Sequence, residues 1–236
     1  MTMHKDFTIK IKRDCEDYLV ICDHSSNAIP LSYKNLGVSN KDLESHIAYD
    51  LGASDLASNL SKSLNCSLIM ANFSRLLIDP NRGVDDPTLI PKISEGKIIK
   101  GNLKISASLK DIERNKRINL FYLPYHEKIN EFINDSIRRN RVPKIISIHS
   151  FTPVWKGKKR KIEVGILWDK DNRLSNIFIN SLKNVKIGNN LPYSGRLKND
   201  TLYKHASSRG IPHVLIEIRQ DLLIKNKDIL HWAQKI

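Results

Sequence analysis

Short apolar runs alternate along this chain with longer segments in which apolar residues recur at helical spacing. The clearest run, YLVIC at residues 18–22, leads directly into the polar sequence DHSSN at residues 23–27. An uninterrupted apolar run of this length is typical of a strand that is covered on both faces, as in a parallel sheet flanked by helices. Ligands bind beyond the carboxyl ends of the strands in such sheets, so we expect this polar sequence to face a site.

Further strands and helices follow from the same pattern. Strands are predicted at residues 67–71, 144–148, 161–168 and 214–218, with shorter candidates at 75–79 and 185–187. Helices are predicted from Ser39 or Asn40 to about residue 64, over 108–140 with a kink or a break at Pro124, from Asn172 or Ser175 to residue 183, and from residue 221 onward. Residues 84–108 and 189–210 lack a strong period and are predicted to be irregular. This alternation predicts a single α/β domain over residues 1–236, with a mixed, mostly parallel sheet flanked by helices.

The composition is that of an ordinary globular protein, with 40% hydrophobic residues among 236. The longest apolar stretches fall far short of the roughly 20 residues that span a bilayer. The amino terminus lacks the apolar segment of a signal peptide, which predicts a cytoplasmic protein. Cys15, Cys22 and Cys66 show no metal-binding spacing, and their odd number argues against a disulfide framework.

The formal net charge of +14 raises the question of an anionic partner. Lys and Arg are spread along the chain, with one dense run at residues 156–161, and no zinc-finger spacing or aromatic RNA-binding motif accompanies them. Solvated, lysine-rich faces explain this distribution better than a nucleic-acid surface does. Attraction of small anionic substrates is compatible with the same charge.

Three polar residues are difficult to explain by packing alone. His24 and His149 follow buried strands, and Glu217 lies inside one, where an unpaired carboxylate would be costly. Two histidines at one sheet edge, with a carboxylate nearby, are the groups from which catalytic zinc sites are built. The pattern therefore predicts a zinc site, although a histidine at a strand end can also be a hydrogen-bonded structural residue.

A catalytic zinc site needs a third protein ligand. His46 is the leading candidate, because the helix that carries it follows the strand that ends near His24. Asp50 lies four residues later on the same helix face and is the alternative ligand. Asp23 either orients a ligand histidine from behind or caps a turn.

Several segments resemble, in order, the motifs of the N-formylglutamate amidohydrolase family. They are CDHSSNAIP at 22–30, HIAYDLGA at 46–53, SRLLIDPNR at 74–82, YLPYH at 122–126, IHSFTP at 148–153, PYSG at 192–195, RGIPHV at 209–214 and IEIRQDL at 216–222. The resemblance covers about residues 18–223, which is nearly the whole chain.

The resemblance implies a fold like that of zinc carboxypeptidases and aspartoacylases, and hydrolysis of an amide bond to an acidic amino acid. It also implies that His24 and His149 are zinc ligands and that Glu217 is the general base. Carboxypeptidases carry a glutamate ligand three residues after the first histidine, whereas Asn27 stands there in this chain. The duty of that glutamate therefore falls on another residue, for which His46 is the leading candidate.

Residues that suit an acidic substrate can also be named. By resemblance, Asn81 and Arg82 match a pair that grips the substrate carboxylate. Arg75 and Arg82 can each bind a carboxylate bidentately, and His205 or His126 can donate a hydrogen bond to an oxyanion or to a substrate carboxylate. Each has a structural alternative: Arg75 can pair with a nearby aspartate, and the other residues can stabilise turns or a helix flank.

These observations favour a zinc-dependent amidohydrolase that cleaves a small N-acylated acidic amino acid, such as N-formyl-L-glutamate. A peptidoglycan or peptide amidase of the same fold is an alternative, although the missing signal peptide argues against a cell-wall substrate. A basic, non-enzymatic nucleic-acid-binding protein is a further and less favoured alternative. The first hypothesis requires His24, His149 and Glu217 to meet in the folded protein.

Overall fold

Eleven β-strands and seven α-helices alternate along the part of the chain that the structure describes. The computed structural model describes the backbone of residues 7–10 and, in full, residues 17–108 and 110–236. The strands are β1 (Phe7–Lys10), β2 (Tyr18–Cys22), β3 (Ser67–Ala71), β4 (Ile93–Ser94), β5 (Lys97–Ile98), β6 (Lys144–Phe151), β7 (Val154–Trp155), β8 (Lys158–Lys159), β9 (Val164–Leu167), β10 (Ile187–Asn189) and β11 (His213–Arg219). The helices are α1 (Asn40–Leu43), α2 (Ala53–Ser63), α3 (Ile112–Arg117), α4 (Leu123–Arg138), α5 (Arg173–Ser181), α6 (Thr201–His205) and α7 (Asn226–Lys235). Cys15 and the predicted start of the domain at residue 1 lie outside the described residues.

Seven of the strands form one sheet, in the order β1-β3-β2-β6-β11-β9-β10. The pairs β3–β2, β2–β6, β6–β11 and β9–β10 are parallel, whereas β1–β3 and β11–β9 are antiparallel. The predicted mixed, mostly parallel sheet is therefore confirmed. β4 pairs with β5 in one short hairpin, and β7 pairs with β8 in another.

Helices cover both faces of the sheet, as its apolar strands require. Successive residues of a strand point to opposite faces, so Leu19 and Ile21 pack into one core cluster and Val20 packs into the other. The first cluster includes side chains of α4, and the second includes side chains of α2, α5 and α7. Each fully buried Leu or Ile contributes roughly 1.5–3 kcal/mol through the apolar surface that it removes from water. The sheet lies between the two clusters, and their packing holds its strands, and so the strand ends, in place.

The single helix predicted between residues 40 and 64 is wrong, because residues 44–52 separate α1 from α2. In this segment the backbone N–H of Asp50 donates a hydrogen bond to the carbonyl of His24, at 2.9 Å. Gly52 has a φ of +76°, and a Cβ there would lie 2.6 Å from the Cβ of Leu223, so no larger residue fits the turn without strain. The break between the helices carries Asp50 to the end of β2.

The short strand predicted at residues 75–79 is also wrong. This segment forms turns in which the N–H groups of Leu77 and Ile78 donate to the carbonyl of Ser74. The Ser74 hydroxyl donates to the carbonyl of Ala48 at 2.9 Å, which ties the turn to the segment before α2. The turn brings Asp79 to the same sheet edge as the end of β2, as the contacts of Asp79 with His24 demonstrate.

β6 and β11 extend beyond their predicted carboxyl ends, to Phe151 and Arg219. His149 therefore lies inside its strand rather than after it, and Glu217 is its register partner across the parallel β6–β11 pair. β9 is shorter than predicted, and β10 begins at residue 187 rather than at residue 185. The longer strands hold the two side chains in a fixed relation on a rigid element.

The helical region predicted over residues 108–140 consists of α3 and α4, joined by a π-helical turn at Ile118–Tyr122. It begins at Ile112 rather than at residue 108, and Asp111 caps it, because the Asp111 side chain accepts a hydrogen bond from the N–H of Arg114 at 2.9 Å. Pro124 lies in the first turn of α4, directly after this π-helical turn. Residues 112–138 are helical throughout, so the chain is not broken at the proline, and the predicted kink stays a prediction.

The two regions predicted to be irregular contain little regular structure. Residues 84–108 include the β4–β5 hairpin and a 3-10 turn at Lys100–Asn102, and residues 189–210 include α6. The last two predicted helices are present as α5 and α7, although α7 begins at Asn226, after a 3-10 turn at Gln220–Leu222. Both irregular regions lie over the carboxyl edge of the sheet, where they line the cavities described below.

Candidate active site

Two histidines and an aspartate converge at the carboxyl edge of the central strands. His24 lies in the turn after β2, His149 lies within β6, and Asp50 lies between α1 and α2. The Oδ2 atom of Asp50 is 2.9 Å from Nδ1 of His149 and 3.4 Å from Nδ1 of His24. All three side chains are buried, and one potential ligand atom from each lies within 4.8 Å of the others. Two imidazoles and one carboxylate are a donor set found in catalytic zinc sites.

Two further aspartates orient these histidines from the outer side. Nε2 of His24 is 2.7 Å from Oδ1 of Asp79, and Nε2 of His149 is 3.2 Å from Oδ2 of Asp23. Because a carboxylate only accepts hydrogen bonds, Nε2 of His24 carries a proton, and Nδ1 of the same ring faces Asp50. This Nδ1 is closed to solvent and forms no hydrogen bond with any described residue. Such a nitrogen is suited to bind a cation.

The charges in this cluster stabilise one another. Burial by itself would raise the pKa of Asp50, but attraction to His24 and the hydrogen bond with His149 lower it. Burial would also raise the pKa of Asp79, but attraction to His24 lowers it well below its usual value. Burial would lower the pKa of His149, but its hydrogen bonds to Asp23 and Asp50 raise it well above the usual value. The cluster therefore favours ionised carboxylates around positive charge.

Glu217 faces the same cavity from β11, beside His149. It is 8% exposed, and its Oε2 forms no hydrogen bond with any residue in the described ranges. Burial raises the pKa of Glu217 to about 7, so this carboxyl group exchanges its proton near neutral pH. That property is expected of a general base.

Asp23 is held behind His149 by three hydroxyl groups. The Thr201 hydroxyl donates to Oδ1 of Asp23 at 2.7 Å, and the Tyr125 hydroxyl donates to the same oxygen at 3.0 Å. The Ser147 hydroxyl donates to Oδ2 at 3.4 Å. Asp23 therefore contacts His149 from outside the His24–Asp50–His149 cluster. Of the two roles considered for Asp23, orienting a histidine and capping a turn, this contact matches the first.

Arg75 lies between two carboxylates at the edge of the cluster. Its Nη1 is 3.2 Å from Oδ1 of Asp50, and its Nη2 is 3.2 Å from Oδ2 of Asp79. The structural pairing considered for this arginine is thus present, and it fixes both carboxylates. The side chain is 24% exposed and still reaches the cavity surface.

Asn81 and Arg82 both line the cavity next to this pair. The Asn81 N–H donates to Oδ1 of Asp79 at 2.9 Å, and the Asn81 Oδ1 accepts a hydrogen bond from the N–H of Thr201 at 3.1 Å. Arg82 donates from Nη1 to the carbonyl of Asn81 at 3.1 Å. No carboxylate in the described part of the chain forms a salt bridge with Arg82, so its guanidinium is available to a ligand carboxylate.

His46, the leading sequence candidate for the third ligand, does not join the cluster. Its Nε2 lies 2.6 Å from Oε2 of Glu95, and its side chain is 32% exposed. The structure instead brings the alternative candidate, Asp50, to the two buried histidines. The difference arises because the helix predicted to carry both residues is interrupted, so the two side chains no longer share a face.

His205 does not reach the cavity that Asn81 and Arg82 line. It is buried and stacks on His126, with Nε2 of His205 2.8 Å from Nδ1 of His126. Nε2 of His126 donates to the carbonyl of Pro80 at 3.0 Å. This histidine pair therefore supports the turn that carries Asn81 and Arg82 rather than contacting a ligand.

Asp79 is a site residue that sequence reasoning missed. It follows an apolar run and precedes Pro80, at the end of a segment that was predicted to be a short strand. The signal that was available is a carboxylate placed after an apolar run, as in the sequence after β2. The cluster opens into a cavity of about 370 Å³. Its arrangement can hold a divalent cation, bind a carboxylate and move a proton at Glu217.

Known proteins resemble this chain in sequence and in fold. The model of the N-formylglutamate amidohydrolase family matches residues 17–224. The gene product Atu2144 from Agrobacterium tumefaciens has a similar structure, with a TM-score of 0.90, 33% sequence identity, and coverage of 98% of this chain and 91% of that chain. N-formylglutamate amidohydrolase from Ralstonia eutropha JMP134 shares the fold, with a TM-score of 0.68, 20% identity, and coverage of 98% of this chain and 93% of that chain. No match was found among curated proteins.

Among the described residues, no helix combines the length and the apolar character that crossing a bilayer requires.

The family match spans the strand ends, the segment between α1 and α2, and the turn with Asp79, which together form the site. The chain belongs to the N-formylglutamate amidohydrolase family.

Proposed function

We propose that this protein is a zinc-dependent amidohydrolase that cleaves a small N-acylated acidic amino acid, such as N-formyl-L-glutamate. The observation that carries the proposal is the convergence of His24, Asp50 and His149 beside Glu217 in one buried cavity. The unpartnered Nδ1 of His24 supports a cation at this point, because a buried nitrogen without a partner is otherwise costly.

In this proposal His24, His149 and Asp50 hold the zinc ion. The chemistry expected of zinc there is polarisation of the amide carbonyl and activation of the attacking water. Asp79 and Asp23 keep the two imidazole rings oriented through hydrogen bonds at Nε2. Asp50 is preferred to His46 as the third ligand because its carboxylate already lies against both imidazoles.

Glu217 is proposed as the general base. Its free Oε2 accepts the proton of the attacking water, and the protonated carboxyl then delivers this proton to the leaving amine nitrogen. A pKa of about 7 suits both steps, since the group is neither permanently charged nor permanently protonated. The released products are the acid of the acyl group and the free amino acid.

Asn81 and Arg82 are proposed to hold the substrate carboxylate. The two residues are adjacent in the cavity wall, and the Arg82 guanidinium has no competing salt bridge among the described residues. Arg75 contributes indirectly in this scheme, because it fixes Asp50 and Asp79 through its two ion pairs. A small acidic N-acyl amino acid matches the resulting combination of a cationic clamp and a buried reaction centre.

The first experiment removes and restores the metal. Protein stripped by a chelator should lose formate release from N-formyl-L-glutamate and should regain it when zinc is added. Glu217→Gln should bind zinc as the wild type does but lose turnover by about 10²–10⁴-fold, because it cannot accept a proton. Full activity of the stripped protein, or an active Glu217→Gln variant, would contradict the mechanism.

A matched pair of variants tests the third ligand. Asp50→Asn should lose zinc in metal analysis of the purified protein, whereas His46→Gln should retain it. The two residues lie on the same segment between α1 and α2, so a general disturbance of that segment would affect both variants alike. If only His46→Gln lost zinc, His46 would be the third zinc ligand instead of Asp50.

A further inference from the structure

The cavity that contains Glu217 continues into a second cavity. The second cavity has a volume of about 270 Å³. The two cavities share five lining residues: Asp50, Arg75, Arg82, Ser150 and Tyr193. Because the walls are shared, the cavities meet beside the candidate metal cluster. We call the cavity with Glu217 the inner chamber and the other the outer chamber.

In the proposed binding mode, the amide bond of the substrate lies where the two chambers meet. Asn81 and Glu217 line the inner chamber and not the outer one, so a substrate held by the Asn81–Arg82 pair places its amino-acid part in the inner chamber. Its acyl group then extends across the shared wall. A formyl group has two non-hydrogen atoms, whereas about 270 Å³ equals roughly nine times the ~30 Å³ that a water molecule takes in the liquid. The outer chamber therefore suits a much larger acyl group.

A carboxylate lies in the outer chamber wall. Glu95 lies at the turn of the β4–β5 hairpin, and its Oε2 is 2.6 Å from Nε2 of His46. Among the described residues this is the only hydrogen bond or ion pair of Glu95, so its second oxygen, Oε1, is open to a ligand. The Glu95 side chain is 38% exposed, so a ligand in the chamber can reach it.

These features define the acyl group by its chemistry. We propose that the acyl part of the preferred substrate is an amino acid or a short peptide with a free amino terminus, whose ammonium group is held at Glu95. The inference rests on the proposed amidohydrolase function and names its substrate class. Hydrolysis adds water across the amide bond, so the acyl part leaves as a carboxylate and the acidic amino acid leaves as the free amine.

The test compares two peptides that differ at their amino end. Glycyl-glycyl-glutamate carries a terminal ammonium group where N-acetylglycyl-glutamate carries only a methyl group. With zinc-loaded wild-type protein, we expect kcat/KM for release of glutamate to be about two- to fivefold higher for the first peptide, the scale of one partly exposed ion pair. Glu95→Gln should reduce this ratio to about one. Glu127→Gln removes the same charge from an exposed position on α4 and should keep the wild-type ratio.

Each possible result of this comparison has a single interpretation. A ratio near one in the wild type, or an unchanged ratio in Glu95→Gln, overturns the inference. If the wild type hydrolyses N-formyl-L-glutamate and neither peptide, the inference fails while the proposed function stands. If zinc-loaded protein hydrolyses none of the three compounds, both fail.

Discussion

Lowering the pH should destabilise this protein through one buried histidine. His205 is 5% exposed and stacks on His126. Burial, assisted by repulsion from Lys204, lowers the pKa of His205 to about 4. In the unfolded chain this imidazole has an ordinary pKa of about 6.5. As the pH falls, the unfolded chain therefore takes up this proton before the folded protein does.

The size of the effect follows from the two pKa values. Between pH 6.5 and 4 the unfolded state binds more protons at His205, so the free energy of unfolding decreases as the pH falls through this window. A difference of about 2.5 pKa units, at about 1.4 kcal/mol each, corresponds to roughly 3–4 kcal/mol. The contribution is intact above pH 6.5, and its loss levels off below pH 4.

Urea unfolding of wild type and His205→Gln between pH 7.5 and 4.5 measures this contribution. The glutamine amide does not titrate and still offers an N–H to His126. We expect the stability of the variant to decline by roughly 2–3 kcal/mol less than that of the wild type over this range. His231→Gln, at an exposed position on α7, should decline like the wild type. Parallel curves for wild type and His205→Gln would refute the reasoning.

Two further predictions follow from contacts in and near the site. Asp79→Asn should weaken zinc binding by about 10–100-fold, because it removes the carboxylate that orients His24, and a chelator competition titration measures this; equal affinities would count against that role. Gly52→Ala should lower the free energy of unfolding in urea by about 1–3 kcal/mol, through its positive φ and its clash with Leu223. Gly96→Ala, with a similar φ and open space around it, should cost less, and equal losses would exclude the clash as a cause.

The parts of the fold that the sequence predicts are those that local pattern determines. The apolar run before Asp23 and the run that contains Glu217 are strands because their side chains are covered on both faces. The position of His24 after one strand followed from the same pattern, whereas His149 lies inside a strand that was predicted to end one residue before it. Parallel strands then bring their carboxyl ends together, so the meeting of the two histidines with Glu217 was predictable.

The third member of the cluster was not predictable in the same way. Helical periodicity placed His46 and Asp50 on one face, but residues 44–52 form turns that depend on a distant contact, the hydrogen bond from Asp50 to the carbonyl of His24. The positive φ of Gly52 permits this backbone path, but a single glycine in the sequence does not predict a positive φ. Asp79 was missed for a related reason, since its turn is tied to another loop by the Ser74 hydroxyl. Packing between loops leaves no period in the sequence.

The edges of the sheet have a consequence for self-association. Among the residues that the structure describes, the outermost strands are β1 with four residues and β10 with three, so each offers there only a short row of unpaired backbone groups. Lys183 and Lys186 lie shortly before β10, and their charges oppose the approach of a second basic chain along that edge. Continuation of the sheet from one molecule into another, the route by which exposed strands seed aggregates, is therefore disfavoured at both ends.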